Sequence, residues 1–278
     1  MNNAIALGTF DGIHTAHKAV LNLPDRYNKI CVTFLKPPKM EMNGNTELIM
    51  TFEDKCKSLK ELGFAEIKAL DFSAVKDIEV TQFLQYLYEE YNPKYISCGF
   101  DYRFGKGGKG DVHVLSDFCK QKGIELNVCK EMLSDGTTLS STKIREMLKN
   151  GETQKANSLL FKPFSFSAEV IKGKSLGRKI GFPTINQKYP QELVKVKFGV
   201  YKTRVLFDGK VYAGITNIGV KPTVKSDYVI SETYINDFSG DIYGKTVKIE
   251  LLKFLREEKK FSSIDDLKEQ IAIDIKTP

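Results

Sequence analysis

The chain reads as α/β plus all-β, an alternating first half followed by a strand-rich second half. Three observations carry that division. Up to about residue 160, short apolar runs alternate with amphipathic stretches at helical spacing. After Lys162-Pro163 nearly every apolar stretch is strand-like, and one helical stretch closes the chain. Charge breaks at the same place. There are 21 basic and 21 acidic residues up to Leu160, but 21 basic and 14 acidic from Phe161 onward, so the +7 excess belongs entirely to the second part. Domains are therefore expected over 1–160 and 161–278.

The first half opens with an apolar strand over residues 4–7, a glycine turn and a helix through Leu21. A second strand follows over 30–34. Residues 53–62 have helical character and stop at Gly63, which suits a left-handed C-cap, before a strand over 66–70. Phe83, Leu84, Leu87 and Tyr88 set a helix over 81–91, ahead of a strand over 95–98. Residues 112–122 form the next helix, stopped by Gly123, and 125–129 the next strand. Strands alternating with helices predict a parallel sheet with crossover helices. Such sheets bind ligands at the carboxyl ends of their strands, which directs attention to the loops after Leu7 and Cys98. Residues 149–160 are read as a short connecting helix.

In the second half, strands are expected over 164–171, 199–207, 210–215, 229–236 and 246–255, with Asp208-Gly209 as a hairpin turn. Residues 264–275 form a helix, with Ser263 as N-cap and Asp265 and Asp266 in its first turn. Its Leu267, Ile271 and Ile275 share a face. The pattern predicts a small antiparallel barrel or sandwich with a terminal helix.

Composition narrows the function classes. Hydrophobic residues at 41% and charged residues at 28% exclude a disordered or fibrous chain. No apolar run approaches the ~20 residues of a membrane span, and Met1-Asn2-Asn3 lacks a signal peptide's basic flank. Five scattered cysteines without a CxxC pair point to reduced thiols, hence a cytoplasmic protein, rather than a disulfide framework or zinc site. The net charge by itself invites a nucleic-acid reading, but neither a helix-turn-helix nor an RNP motif is present.

Two stretches carry chemistry. Directly after the first strand comes Gly8-Thr9-Phe10-Asp11-Gly12-Ile13-His14-Thr15-Ala16-His17. Two histidines three apart at a helix start lie beside free backbone N–H groups and the positive end of the helix dipole, which suits phosphate. Gly8 and Gly12 allow close approach of backbone to ligand. HxxH alone is equally an accident of two histidines near a turn; strand, glycine turn, HxxH and helix together favour a site. Ser140-Ser141-Thr142-Lys143-Ile144-Arg145 adds three hydroxyls at another helix start and a basic residue one turn in. It reads either as a phosphate site or as a plain N-cap. The second stretch is Gly173-Lys174-Ser175-Leu176-Gly177-Arg178-Lys179-Ile180-Gly181-Phe182-Pro183-Thr184-Ile185-Asn186. Three glycines among basic residues can cradle phosphates, although no Walker A pattern is present. Thr184 and Asn186 fall on one side of an extended segment, and oxygen donors of that kind suit Mg²⁺. The alternatives are a solvated basic turn and an Asx-type turn.

HxxH early and SSTxIR late resemble the nucleotidyltransferase superfamily. With Gly99-Phe100-Asp101-Tyr102-Arg103-Phe104-Gly105, they look like the FMN adenylyltransferase module of bacterial bifunctional FAD synthetases. The string from Gly173 to Asn186 resembles the riboflavin kinase signature of the same family. So do Thr216-Asn217-Ile218-Gly219, Ser231-Glu232-Thr233 and Leu255-Arg256-Glu257-Glu258-Lys259-Lys260-Phe261, in the family's order. The resemblance spans residues 4–274. It implies a Rossmann-like nucleotidyltransferase domain, then a six-stranded Greek-key β-barrel with a terminal helix. It also implies two activities: riboflavin phosphorylation to FMN, and adenylylation of FMN to FAD with release of pyrophosphate. The substrates implied are riboflavin, FMN and ATP, with Mg²⁺ serving both sites. No nucleic acid or membrane is expected, and nothing indicates the oligomeric state.

The resemblance assigns roles as well. His14, His17 and Arg145 stabilise charge in adenylyl transfer, and Glu232 takes the proton from the riboflavin 5′-hydroxyl. Gly8, Phe10, Asp11, Gly12, Ser140, Ser141 and Thr142 meet ATP at the first site, as do Gly173, Lys174, Gly177, Arg178 and Gly181 at the second. Asp101, Arg103, Phe104 and Arg256 contact flavin, while Thr184 and Asn186 hold Mg²⁺. The chain departs from the family at two places. Ala16 stands where glycine is usual, which is harmless at negative φ and damaging at positive φ. Lys36-Pro37-Pro38 stands where a Pro-His-Pro segment is usual. A kinase-only enzyme and a flavin-responsive nucleic-acid binder are the competing readings; the latter requires steep salt dependence.

Overall fold

The computed structural model describes residues 2–44, 47–173, 177, 180–221 and 228–277. Contacts divide the chain into two compact units, Met1–Lys143 and Ile144–Pro278.

The first unit is built on a five-stranded parallel sheet in the order β3-β2-β1-β4-β5. Its strands are β1 (Asn3–Leu7), β2 (Asn28–Phe34), β3 (Glu66–Leu70), β4 (Pro93–Gly99) and β5 (Glu125–Cys129). Helix α1 (Thr15–Leu21) follows β1, and α2 (Pro38–Asn43) and α3 (Phe52–Glu61) lie between β2 and β3. Helices α4 (Phe72–Val75) and α5 (Val80–Tyr91) precede β4, and α6 (Val112–Lys122) precedes β5. Ile5, Leu7, Ile30, Val32 and Ile96 share one face of the sheet and are buried together with Leu84, Leu87 and Leu115, while Ala4, Ala6 and Cys31 are buried on the other face. That burial explains why the strands read as continuous apolar runs rather than as alternations. The order reverses at β1: the chain steps one way to β2 and β3, then returns to β4 on the other side. Such a reversal leaves a crevice beyond the carboxyl ends of β1 and β4.

The sequence predicts no helix over 38–43. Proline at the first helical position starts α2, with Pro37 as its extended N-cap and Gly44 closing it in the left-handed region. A two-residue hairpin, β6 (Leu133–Ser134) with β7 (Thr137–Thr138), precedes α7 (Ser141–Lys149). Helix α8 (Thr153–Leu159) follows and is the short connecting helix expected over residues 149–160.

The second unit is a closed antiparallel barrel in the order β10-β11-β12-β9-β8-β13. Its strands are β8 (Ser165–Ile171), β9 (Thr184–Lys188), β10 (Gly199–Phe207), β11 (Lys210–Lys221), β12 (Tyr228–Ile235) and β13 (Thr246–Arg256). The short strand β9, read from sequence only as an extended segment, closes the barrel by pairing with both β8 and β12. Helix α8 packs on β13, where Asn157 Nδ2 donates to the Leu251 carbonyl at 2.7 Å. Helix α9 (Ile264–Lys276) closes the chain, capped by Ser263 as the sequence predicts.

Candidate active sites

At the end of β1 the backbone makes a turn that few residues tolerate. Phe10, Gly12 and Ile13 have φ of 53°, 87° and 43°. The ring of Phe10 folds back over Gly8, where an added Cβ would lie 2.8 Å from it, so glycine is required there. Asp11 is buried, and its carboxylate accepts from the backbone N–H of Ile49 at 3.0 Å and of Met50 at 3.3 Å. The turn is thereby tied to a segment 38 positions away.

That turn delivers both histidines to the start of α1. His14 is the N-cap, and its Nδ1 accepts weakly from the His17 N–H at 3.4 Å. The two imidazoles stack, with centroids 3.7 Å apart, and Phe10 meets His17 edge-on at 5.4 Å. Burial holds the His17 imidazole well below the usual histidine range, and the neighbouring His14 and Lys55 charges add to the effect. Its Nδ1 is buried without a hydrogen-bond partner among the described residues, although the ring as a whole is half-buried. A neutral imidazole with one exposed edge is the form that donates a hydrogen bond to an incoming anion.

The second phosphate-type motif reaches the same turn. Ser141 Oγ donates to the Asp11 carbonyl at 2.9 Å, joining residues 130 positions apart. Ser140 Oγ accepts from the Lys143 N–H at 3.3 Å, so Ser140 caps α7. Thr142 is exposed in the first turn of that helix, and Arg145 follows one turn along.

Beyond β4, the neighbour of β1, Tyr102 N–H returns to the Gly99 carbonyl at 3.1 Å and turns the chain. Asp101 and Arg103 are exposed there, and Arg103 pairs with Asp111 at 3.5 Å. Phe104 lies in the core instead, between Phe83 and Tyr102 with ring centroids 5.6 Å from each.

In the barrel, Asn217 on β11 faces Glu232 on β12, which faces Asn186 on β9. This row lies on the face opposite Thr216 and Thr233, whose hydroxyls bond each other at 2.9 Å, because successive strand residues alternate sides. Asn186 is buried, and its Oδ1 has no hydrogen-bond partner among the described residues. Described glycines of the signature stretch lie close to it and to Thr184. A Cβ on Gly173 would lie 2.5 Å from Asn186 Nδ2, and one on Gly177 would lie 2.3 Å from the Phe182 carbonyl oxygen and 3.3 Å from Thr184 Oγ1. Gly181 takes φ 88°. The absence of side chains at Gly173 and Gly177 thus allows these two residues to lie against Asn186 and Thr184. Lys174 and Arg178 lie outside the described residues. Arg256, at the end of β13, is held by Asp274 of α9 through a forked ion pair, with its shortest contact at 2.7 Å.

These two sites match two known families in the same order along the chain. The FAD synthetase family model matches residues 1–143, and the riboflavin kinase model matches residues 160–278. Over 99% of its length the chain is 33% identical to the bifunctional riboflavin kinase/FMN adenylyltransferase of Haemophilus influenzae, covering 92% of that protein. The chain belongs to the bifunctional riboflavin kinase/FMN adenylyltransferase family. The Bacillus subtilis and Escherichia coli members are each 32% identical to it, over 98% and 97% of the chain, and 90% of each is covered. A crystal structure described as a macrolide-efflux protein from Streptococcus pneumoniae has a TM-score of 0.90 at 28% identity, covering 98% of this chain and 92% of that one. Among the described residues here, no helix is long and apolar enough to cross a membrane.

Within this family one of the two departures has a structural answer. Ala16 lies inside α1 and is absent from the positive-φ residues, so its methyl group is tolerated. Pro37 and Pro38 start α2, so that segment supplies no imidazole and His14 and His17 stand as the histidine pair.

Three residues at the sites are missing from the sequence reading. Lys55 is buried beneath the first turn. Asn217 joins the Glu232 row, and Glu258 accepts from Asn217 Nδ2 at 2.9 Å. Glu258 also occupies the space above Gly219, where a Cβ would lie 2.3 Å from its carboxylate. Asn217 and Glu258 carry a signal in their motifs, Thr216–Gly219 and the stretch after Leu255. Lys55 carries none, because a lysine in an amphipathic helix reads as solvent-facing.

Proposed function

We propose that the first unit transfers AMP from ATP to FMN at the crevice beyond β1 and β4, and that the barrel phosphorylates riboflavin beside Glu232. The catalytic division falls near Leu160, as the charge break indicates, and a cytoplasmic setting suits the five free cysteines. The observation that carries the first half is the Ser141–Asp11 hydrogen bond, which brings the two phosphate-type motifs to one turn.

In the adenylyl step, an FMN phosphate oxygen attacks the α-phosphorus of ATP, the α–β bridging bond breaks, and pyrophosphate leaves. No covalent enzyme intermediate is needed, so positioning and charge stabilisation do the work. His14 and His17 donate toward the phosphates from the start of α1, and Arg145 adds a fixed positive charge. Gly8, Gly12 and the backbone at Phe10 shape the turn; Asp11 and Ser140 fix its two halves. Ser141 joins those halves, and Thr142 offers its exposed hydroxyl. Asp101 and Arg103 face the flavin side, with Phe104 supporting their turn from the core.

In the kinase step, Glu232 accepts the riboflavin 5′-hydroxyl proton as that oxygen attacks the γ-phosphorus of ATP, the β–γ bridging bond breaks, and ADP leaves. Gly173, Gly177 and Gly181 shape the phosphate loop, to which Lys174 and Arg178 add charge. The partnerless Asn186 Oδ1, with Thr184 beside it, fits a hard cation that takes oxygen ligands, so these two residues would hold Mg²⁺. When bound, the ion supplies neutralisation of phosphate charge. Arg256, fixed by Asp274, stands on the flavin side of the barrel.

Two substitutions test the assignment. Glu232→Gln is expected to cut riboflavin phosphorylation by about 10²–10⁴-fold while sparing FMN adenylylation. His17→Ala is expected to cut adenylylation by about 10²–10³-fold while sparing phosphorylation. Loss of both activities from either folded variant would contradict two separate sites.

A further inference from the structure

We propose that Lys55 is a positioning residue of the adenylyltransferase site: its buried ammonium clamps the β1–α1 turn to the end of β2 and places a positive charge beneath the two histidines. The inference rests on the proposed reading of that site and deepens it.

The geometry is specific. Lys55 is 4% exposed, unusual for a lysine in the middle of a helix. Its Nζ donates to the Thr9 carbonyl at 3.1 Å, the Thr33 hydroxyl at 3.2 Å and the Phe34 carbonyl at 2.8 Å, so three acceptors meet its three N–H bonds. The Thr33 hydroxyl itself donates to Thr9 O at 2.9 Å, which closes the cluster. Thr9 is the second residue of the turn that delivers His14 and His17, and Phe34 ends the strand beside it. A neutral donor would serve for the carbonyls alone. An ammonium in their place makes sense if the charge itself is used.

The surroundings of that charge are mixed. Burial pulls the Lys55 ammonium below its ordinary range, against which the Asp11 carboxylate holds it charged; Cys31 on β2 and Cys56 on its own helix also face it. Lys55 in turn is one of the groups that hold His17 deprotonated, after burial and the adjacent His14. Free enzyme thus keeps His17 neutral. The charge beneath the turn also adds to the field that draws the nucleotide in.

Charge and hydrogen bonding separate in two variants. Lys55→Arg keeps the charge, whereas Lys55→Gln keeps a donor to Thr9 without it. The chain has three histidines, so the His17 imidazole can be followed separately by ¹H–¹⁵N NMR. In Lys55→Gln the His17 titration is expected to move to higher pH, with the KM for ATP in FMN adenylylation raised about tenfold. Lys55→Arg is expected to stay close to the wild type in both. An unmoved His17 titration in Lys55→Gln overturns the inference, even if adenylylation falls, because a merely structural lysine gives that result. If wild-type protein forms no FAD at all, the adenylyltransferase reading fails instead, and the titration alone then decides on Lys55. Should Lys55→Gln lose its native amide spectrum, Lys55→Met gives the same titration test with a buried side chain of similar length.

Discussion

Gly177 shows how the kinase loop depends on a missing side chain. Any Cβ there would sit 2.3 Å from the Phe182 carbonyl oxygen, a backbone atom that cannot swing aside. Gly177→Ala is therefore expected to lift the loop from Thr184 and Asn186 and to reduce riboflavin phosphorylation by at least about tenfold. Adenylylation should remain unchanged, and steady-state rates of the two reactions on one preparation check this. His17 gives a second prediction at this scale. Its folded-state pKa lies well below the ordinary value, so between the two the unfolded chain binds a proton that the folded chain does not. Stability therefore rises with pH through that window and is lost as pH falls below about 6.5. Urea unfolding of wild type from pH 7.5 to 5 is expected to show this slope, reduced in His17→Ala. Equal slopes would contradict the assignment to His17.

At the scale of elements, the first site is a meeting of two helix starts. Helix α1 begins at His14, α7 begins after Ser140, and Ser141 fastens the second to the turn before the first. Neither start is stabilised by an acidic residue in its first turn, which leaves both available to an anion. Ser141→Ala removes one hydrogen bond, worth about 1 kcal/mol, and the corresponding expectation is a roughly five- to tenfold rise in the KM for ATP in adenylylation. The riboflavin kinase KM for ATP on the same protein should not move. In the barrel the equivalent arrangement is a row across three strands, Asn217, Glu232 and Asn186, with Gly173 against Asn186.

At the scale of the whole molecule, charge, secondary-structure pattern and motif order all divide the chain into two units with one chemistry each. Much of this was legible because both sites depend on backbone constraints that leave a mark in the sequence. Gly8, Gly173 and Gly177 are glycines because side chains or backbone occupy the space of their Cβ atoms, and HxxH stands at a helix start because the turn delivers it there. What escaped depends on distant partners. The two proline residues at 37 and 38 begin a helix that apolar periodicity does not announce. Strand β9 has only five residues, and pairing with β8 and β12 completes it. Asp11 bonds to Ile49 and Met50, and Lys55 turns inward to Thr9; neither destination is visible in local spacing. The +7 excess belongs to the barrel half, and because both halves bind ATP in this account, nucleotide binding alone does not explain its position.

The central claim is that one chain carries both steps from riboflavin to FAD. Its most direct test supplies pure protein with FMN, ATP and Mg²⁺, and follows FAD and pyrophosphate by chromatography. A parallel reaction starts from riboflavin. The account predicts FAD in the first reaction, and FMN followed by FAD in the second. FMN accumulating from riboflavin, with no FAD in either reaction at any enzyme concentration, would contradict it and leave a kinase alone.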